Sequence, residues 1–321
     1  MSWLIFGATG FVGSTILRAA EATGLDVAGS PAPRLSTDAT TVAELAAEAS
    51  SHPALPDLTA RLSGVSVVVN AAGLAAPRSG DTAELRGANS LLPALLAQAC
   101  AAAGVDRLVH LSSAAVQGQR DILDESLDLA PFSAYSRSKA LGEQVLQTAS
   151  FAARIVTVRA TSVQGANRPT TTALVRLAAS PLASVAAPGT AATPVTSVES
   201  LADFVVEVGA FDGQLPPVVL QPGEGMTVRS VLEAAGGTPI VLPRRLCRML
   251  LRVGYSVSGL AGERLHGSLR RVELMWFGQA QEPGWAEAQG IRIEQRVSGV
   301  LESAASRRRQ GRSGRQSPVK R

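Results

Sequence analysis

The sequence predicts an α/β protein: a doubly wound parallel sheet covered by helices on both faces, followed by a smaller α/β lobe. Three observations carry this. Short apolar runs alternate with helical periodicity through the first half of the chain. A glycine-rich turn, "GATGFVG", joins the first apolar run to the first helix. Beyond about residue 165 the rhythm changes to loops rich in Pro, Thr and Gly, with shorter helices and weaker strands such as "PPVVLQ" and "TPIVL".

Taken in order, "WLIFG" reads as a short buried strand, and "FVGSTILRAAEATG" has helical spacing until Gly24 stops it. "LDVAGS" is a second strand. Residues 40–50 are Ala- and Glu-rich and helical, "PDLTARLSG" is a short helix capped by Asp57, and "VSVVVNAAG" is a buried strand. A long helix around "LRGANSLLPALLAQACAAAG" follows, then the strand "RLVHLSS", a helix carrying "YSRSKALGEQVLQTA", and the strand "RIVTVRA". Strands separated by helices require crossovers, hence parallel pairing. The expected division is a nucleotide-binding domain over 1–165, a mainly substrate-binding lobe over 166–305 and a disordered basic tail over 306–321. The amphipathic segment "RRLCRMLLRVGYSVSGL" reads as a helix with its apolar side on the core and its arginines in water, the alternative being a membrane surface.

The chain has 321 residues, 46% hydrophobic and 17% charged, which marks an ordinary globular protein; at 4% aromatic its core is built mainly of Ala, Val and Leu. The formal charge is +4, unevenly spread: the last sixteen residues hold seven basic groups and no acid, and the remainder has 23 basic against 26 acidic residues. The tail could touch an anionic surface, but a solvated end is the plainer reading. Cys100 and Cys247 are isolated, so neither a disulfide framework nor a metal site is expected. A reducing cytoplasm fits. The start "MSWLIFGATG" lacks the charged leader of a secretory signal, and no apolar run of about 20 residues offers a spanning helix.

The glycine turn points to a dinucleotide. Gly7 and Gly10 allow a tight turn and close approach to a pyrophosphate, Gly13 allows the helix to pack on the sheet, and Thr9, Phe11 and Val12 lie within the same turn, at a helix N-terminus that offers N–H groups to an anion. This is the Rossmann-type arrangement; the alternative is a purely structural turn. A carboxylate at the end of the second strand would select NAD, but that strand ends "GSPAPR" with no acid before Asp38. Ser30 and Arg34 are groups that suit a 2′-phosphate, so the expected cofactor is NADP, with NAD the alternative.

In "SAYSRSKALGEQ", Tyr135 precedes Lys139 by four places, one turn of a helix. The chain has two lysines against 28 arginines, yet places a lysine here, where a guanidinium is too bulky and too basic to substitute. An ammonium beside a phenol stabilises the phenolate and lets the tyrosine exchange a proton at neutral pH; it also reaches the nicotinamide ribose. Ser113, ending the strand "VHLSS", is placed to orient a substrate oxygen.

"GATGFVG", "NAAG", "HLSSAAVQG", "YSRSK" and "VRATSVQG" together resemble, in order and spacing, an extended short-chain dehydrogenase/reductase of the nucleotide-sugar epimerase/dehydratase type, over roughly residues 1–165. The resemblance implies that Gly7, Gly10 and Gly13 cradle the pyrophosphate, that Asn70, Ala71, Ala72 and Gly73 line the adenosine side, and that Asn89 supports Lys139 through water. It also implies a catalytic set of Ser113, Tyr135 and Lys139, and the family's habit of dimerising through a two-helix face. Three positions depart from the family pattern. Gln117 replaces an aromatic, Ala160 a proline, and Ser162 an asparagine that often contacts the sugar nucleotide.

The expected activity is NADP-dependent oxidation or reduction at a carbonyl/alcohol pair, at the 4-position of a nucleoside-diphosphate sugar, in polysaccharide or related nucleotide-sugar metabolism. Reduction is favoured over epimerisation. Dehydration is least favoured, because Ala114 and Ala115 stand where dehydratases carry an acidic pair. Ser162 and Arg168 are the substrate-side candidates, with Arg176 and the loop "APGTAATPV" behind them. A non-catalytic NADP-binding sensor or scaffold is the rival reading, opposed by the Tyr/Lys/Ser set; a nucleic-acid-associated relative has only the tail in its favour.

Overall fold

The structure, a computed structural model, describes residues 1–74, 80–148, 154–260 and 265–313. In chain order the elements are β1 (Ser2–Phe6), α1 (Gly13–Ala22), β2 (Asp26–Ser30), α2 (Val42–Ser51), α3 (Leu55–Arg61), β3 (Val67–Asn70), α4 (Ala83–Arg86), a π-helical turn (Gly87–Leu91), α5 (Leu92–Ala103), β4 (Arg107–Ser113) and a 3₁₀ turn (Ala114–Gln117). They continue with β5 (Ile122–Leu123), α6 (Ala134–Thr148), β6 (Arg154–Ala160), β7 (Ser162–Gln164), α7 (Pro169–Ala178), β8 (Ser184–Ala186), β9 (Val195–Ser197) and α8 (Val198–Ala210). Last come β10 (Val218–Leu220), α9 (Val228–Ala234), β11 (Ile240–Leu242), α10 (Arg244–Leu260), α11 (His266–Phe277), β12 (Ala280–Gln281), α12 (Trp285–Ala288) and α13 (Val297–Ser313).

Local chemistry accounts for the helix ends. Gly24 and Gly104 take the left-handed conformation that ends α1 and α5 (φ 79° and 73°). Thr41 and Glu44 close a reciprocal capping box on α2. Asp57 does not cap α3: it lies inside the first turn and pairs with Arg61 at 2.6 Å, while Ala54 holds the cap position.

The chain forms two compact units. The first comprises Met1–Thr161, Leu201–Gln221 and Glu282–Ile293. Its six strands are parallel in the order β10-β6-β4-β3-β1-β2, in register Phe6 with Ser30 and Asn70, Asn70 with His110, and Ser113 with Ala160. All four residues of β3 are buried, as a central parallel strand requires. Phe6, Val68, Leu91, Leu95, Leu96 and Leu108 anchor the main core, to which α2 and α3 add Leu45 and Leu58. Trp3 packs against Gly209 of α8, where a Cβ would fall 2.2 Å from the indole ring. Arg107 crosses beneath to donate to the carbonyls of Val208 and Gly209 (3.1 and 2.7 Å). Residues 201–221 were expected in the second lobe. Instead "PPVVLQ" supplies β10, which pairs with β6 and extends the first unit's sheet; a three-residue strand is too short for periodicity to reveal its partner.

The second unit comprises Ser162–Ser200, Pro222–Gln281 and Glu294–Arg321. It holds two small parallel pairs, β7 with β9 and β8 with β11, over a core of Val175, Val185, Val228, Leu232 and Ala305. The Glu224 carboxylate ties it together, accepting from the N–H groups of Ser197 and Val297 (both 2.6 Å). The helix α13 continues to Ser313, beyond residue 306 where the basic composition predicted disorder; Leu301 and Ala305 anchor it in the core. Residues 314–321 lie outside the described residues. Cys100 and Cys247 are both free thiols and buried. Among the described residues no helix is long and apolar enough to cross a membrane, and no cluster of three His, Cys, Asp or Glu is arranged to hold a metal ion.

Candidate active site

The strand order reverses between β1 and β3, so the loops leaving these neighbours diverge and open a crevice at the carboxyl edge of the sheet. Both sequence-predicted glycine segments sit there. Gly7 has φ 84°, and a Cβ on it would lie 2.7 Å from the amide nitrogen of Ala72. The Gly10 N–H donates to the Gly7 carbonyl at 2.9 Å, and a Cβ at Gly13 would fall 2.2 Å from that same oxygen. No other residue fits at Gly7 or Gly13. Thr9, Gly10 and Phe11 are at the surface of the turn, Val12 is half-buried, and α1 starts without a side-chain cap, leaving its positive end available to an anion. The turn fits a pyrophosphate.

The second wall is Asn70 to Gly73. Asn70 accepts from the Ala72 N–H at 3.2 Å, which turns its amide nitrogen toward Nδ1 of His110 at 3.1 Å. Burial, reinforced by the Lys139 ammonium, pushes the His110 imidazole well below its ordinary pKa. It is therefore neutral at pH 7, with its proton on Nε2, which among the described residues has no hydrogen-bond partner. At the end of β2, Ser30 is buried and Arg34 exposed. The next acid, Asp38, pairs with Arg86 at 3.3 Å, and Arg86 also holds Asp81 at 2.7 Å.

The helix α6 is opened by Ser133, which accepts from the Ser136 N–H at 3.1 Å while its own N–H donates to Ser136 Oγ at 2.9 Å. Tyr135, half-buried, follows in the first turn, and Lys139 lies one turn on. The lysine is 5% exposed and donates to the Leu111 carbonyl of β4 at 2.9 Å. Burial pushes its pKa down to about 8, against the opposing pull of the Glu143 carboxylate. Gly73 lies directly against it: a Cβ there would be 3.1 Å from Nζ and 2.8 Å from Oδ1 of Asn89.

Asn89 reaches this place by an irregularity that was expected to be plain helix. Pro93 has no N–H to give the carbonyl four residues earlier, which belongs to Asn89, and its ring would clash with that oxygen. The ladder widens into the π turn Gly87–Leu91, and the Asn89 carbonyl projects toward α6, where only Gly142 fits: a Cβ there would be 2.3 Å away. The Asn89 side chain then bonds the Leu74 N–H and carbonyl and Ser138 Oγ, each at 3.0 Å. Pro93 four places after Asn89 was the available signal.

Ser113, the last residue of β4, accepts from the Ala115 N–H at 3.2 Å, which leaves its hydroxyl proton to donate. Gln117, in place of the family's aromatic, is buried and grips Asp124 through both its amide nitrogen (2.5 Å) and oxygen (3.1 Å). Beneath α6, Arg159 and Glu143 form a fully buried pair at 2.8 Å, and Arg159 also donates to the Ser126 carbonyl at 2.7 Å. His110, Arg159 and Glu143 were not singled out from the sequence; a polar residue inside a strand or on a helix announces no partner. Ser162 and Arg168 belong to the second unit. Ser162 accepts from Gln164 at 3.0 Å, and Arg168 donates to the Val163 carbonyl, securing its own loop.

The fold is a Rossmann-type parallel sheet, with the glycine turn at its carboxyl edge and Lys139 one helical turn after Tyr135 on the neighbouring helix. The chain belongs to the NAD-dependent epimerase/dehydratase family, whose model matches residues 3–206. It is thus an enzyme of the extended short-chain dehydrogenase/reductase type. None of the curated proteins compared matches it. Among solved structures it resembles the UDP-glucuronic acid 4-epimerase from Bacillus cereus in complex with UDP-glucuronic acid and NAD, at 18% identity and a TM-score of 0.63, covering 97% of this chain and 99% of that one. It also resembles the UDP-Glc/GlcNAc 4-epimerase of Campylobacter jejuni (18%, 0.64, 96% and 99%). A third is an NAD-dependent NDP-hexosamine 5,6-dehydratase of tunicamycin biosynthesis (27%, 0.53, 76% and 84%).

Proposed function

We propose that this protein is an NAD(P)-dependent 4-keto reductase of nucleoside-diphosphate sugars, with Tyr135 as its general acid. The observation that carries the reading is the buried ammonium of Lys139, held under the Leu111 carbonyl one helical turn from Tyr135 and against Gly73. When bound, the dinucleotide supplies the hydride. Tyr135 Oη gives its proton to the substrate oxygen as the carbon is reduced, and the positive charge of Lys139 stabilises the phenolate left behind. Ser113 Oγ donates to the same oxygen and holds it in line. Asn89 keeps Leu74 and Ser138 in place. Ser30 and Arg34, with no acid before Asp38, favour a 2′-phosphate and hence NADP.

Two further features bear on the reaction. Ala114 and Ala115 follow Ser113 and carry no acid or base, which argues against dehydration. Epimerisation at the same carbon would use the same residues, and the two 4-epimerases above make it the second reading. Incubation with 4-keto and 4-hydroxy nucleotide sugars separates the two: a reductase consumes NADPH in proportion to product. Interconversion of 4-epimers without net cofactor consumption would replace reduction by epimerisation; binding of NADPH without either reaction would leave only a dinucleotide-binding protein.

A further inference from the structure

The helix α10 carries two apolar stripes, and the fold uses one. Cys247 and Leu251 are buried with Ala186 and Trp276 in the second unit, and Gly254 lets the helix close on Leu269, which lies 2.6 Å from where a Cβ would be. The other stripe is Leu246, Met249, Leu250, Val253, Val257 and Leu260, at i, i+3, i+4, i+7, i+11 and i+14 on one side of the helix. All six face solvent, with Met249 54%, Val253 57%, Val257 53% and Leu260 91% exposed. The sequence expectation of a core-facing side with the arginines in water holds for Cys247, Leu251 and Arg244, Arg245, Arg248 and Arg252, but it did not foresee this second, exposed apolar stripe.

The charges on α10 are of one sign. Arg244, Arg245, Arg248 and Arg252 lie on the helix and no acid does. Arg244 and Arg248 are seated over the Phe277 ring, at 5.0 and 6.0 Å from its centroid. An exposed apolar stripe on a helix whose charged residues are all arginines suits the boundary of an anionic bilayer, where the acyl region takes the apolar side chains and the headgroups take the arginines. A second copy of the chain suits it less well: a two-fold pairing through the stripe opposes α10 to α10, and neither helix brings an acid for the other's arginines.

We infer that α10 is an interfacial anchor: it lays Leu246, Met249, Leu250, Val253, Val257 and Leu260 into an anionic lipid surface with its arginines at headgroup level. This inference is independent of the reaction proposed above. The test is flotation of the full chain with vesicles of phosphatidylcholine alone and of phosphatidylcholine with phosphatidylglycerol in a three-to-one mixture. The protein should float with the anionic vesicles and not the neutral ones, and raised salt should release it. Arg245→Ala and Arg252→Ala should each weaken binding about fivefold. Leu250→Asp and Val253→Asp should abolish it while leaving thermal unfolding unchanged, since both side chains face water. Failure of the parent protein to float with anionic vesicles overturns the inference, as does undiminished binding by Val253→Asp. A dimer in solution that Val253→Asp splits, without vesicle binding, assigns the stripe to a second copy instead.

Discussion

Replacing Lys139 by Met should make the protein more stable at neutral pH while removing its activity. The ammonium is buried, and its pKa falls from an ordinary 10.5 to about 8. Each unit is worth about 1.4 kcal/mol, so at pH 7, where both folded and unfolded chains carry the charge, the folded state bears a penalty of about 3 kcal/mol. A lysine with a lowered folded pKa destabilises the fold in full below that pKa, and the penalty fades as pH rises toward the unfolded value. At about pH 9.5 it is reduced to roughly 1 kcal/mol. Against this, the variant loses the hydrogen bond to Leu111, worth about 1 kcal/mol. Urea unfolding of parent and variant should therefore show Lys139→Met more stable by about 2 kcal/mol at pH 7 and near parity at about pH 9.5. Equal destabilisation by the substitution at both pH values would refute the desolvated ammonium, and with it the physical basis for the site.

Breaking the buried pair by Arg159→Met should cost about 3–5 kcal/mol in urea unfolding, because Glu143 is left charged and enclosed; adding Glu143→Leu should recover much of the loss. Gly142→Ala drives a Cβ to 2.3 Å from the Asn89 carbonyl and should lower stability by about 1–3 kcal/mol; relief of that contact by Pro93→Ala in the same chain would support the origin given for the π turn. Arg34→Ala should weaken NADPH binding about tenfold or more in fluorescence titration and leave NADH unchanged; an equal effect on both cofactors removes the 2′-phosphate role.

The candidate site could be read from the sequence where its geometry is local. The glycine turn, with Gly13 that must avoid the Gly7 carbonyl, and a Tyr and Lys one turn apart announce themselves in adjacent residues, whereas the contact Gly7 must avoid, Ala72, lies beyond β3. The alternation of strands and helices likewise carried the parallel sheet. What escaped was non-local. His110 meets Asn70 across neighbouring strands, and Arg159 meets Glu143 across a strand–helix packing; neither residue's surroundings hint at the other. The strand β10 is three residues whose partner lies far back in the chain. The amphipathic pattern of α10 was visible, but periodicity says only that a helix has an apolar side. Which side the fold buries was decided by Cys247, Leu251 and the cleft at Gly254.

The account rests on proton transfer by Tyr135 to a substrate oxygen next to the dinucleotide. The most direct measurement is NADPH oxidation by Tyr135→Phe with a 4-keto nucleotide sugar that the parent protein reduces, alongside cofactor binding by the same variant. Turnover lowered about 10²- to 10⁴-fold with cofactor affinity unchanged is the predicted result; parental turnover in a variant that has no phenolic proton would contradict it.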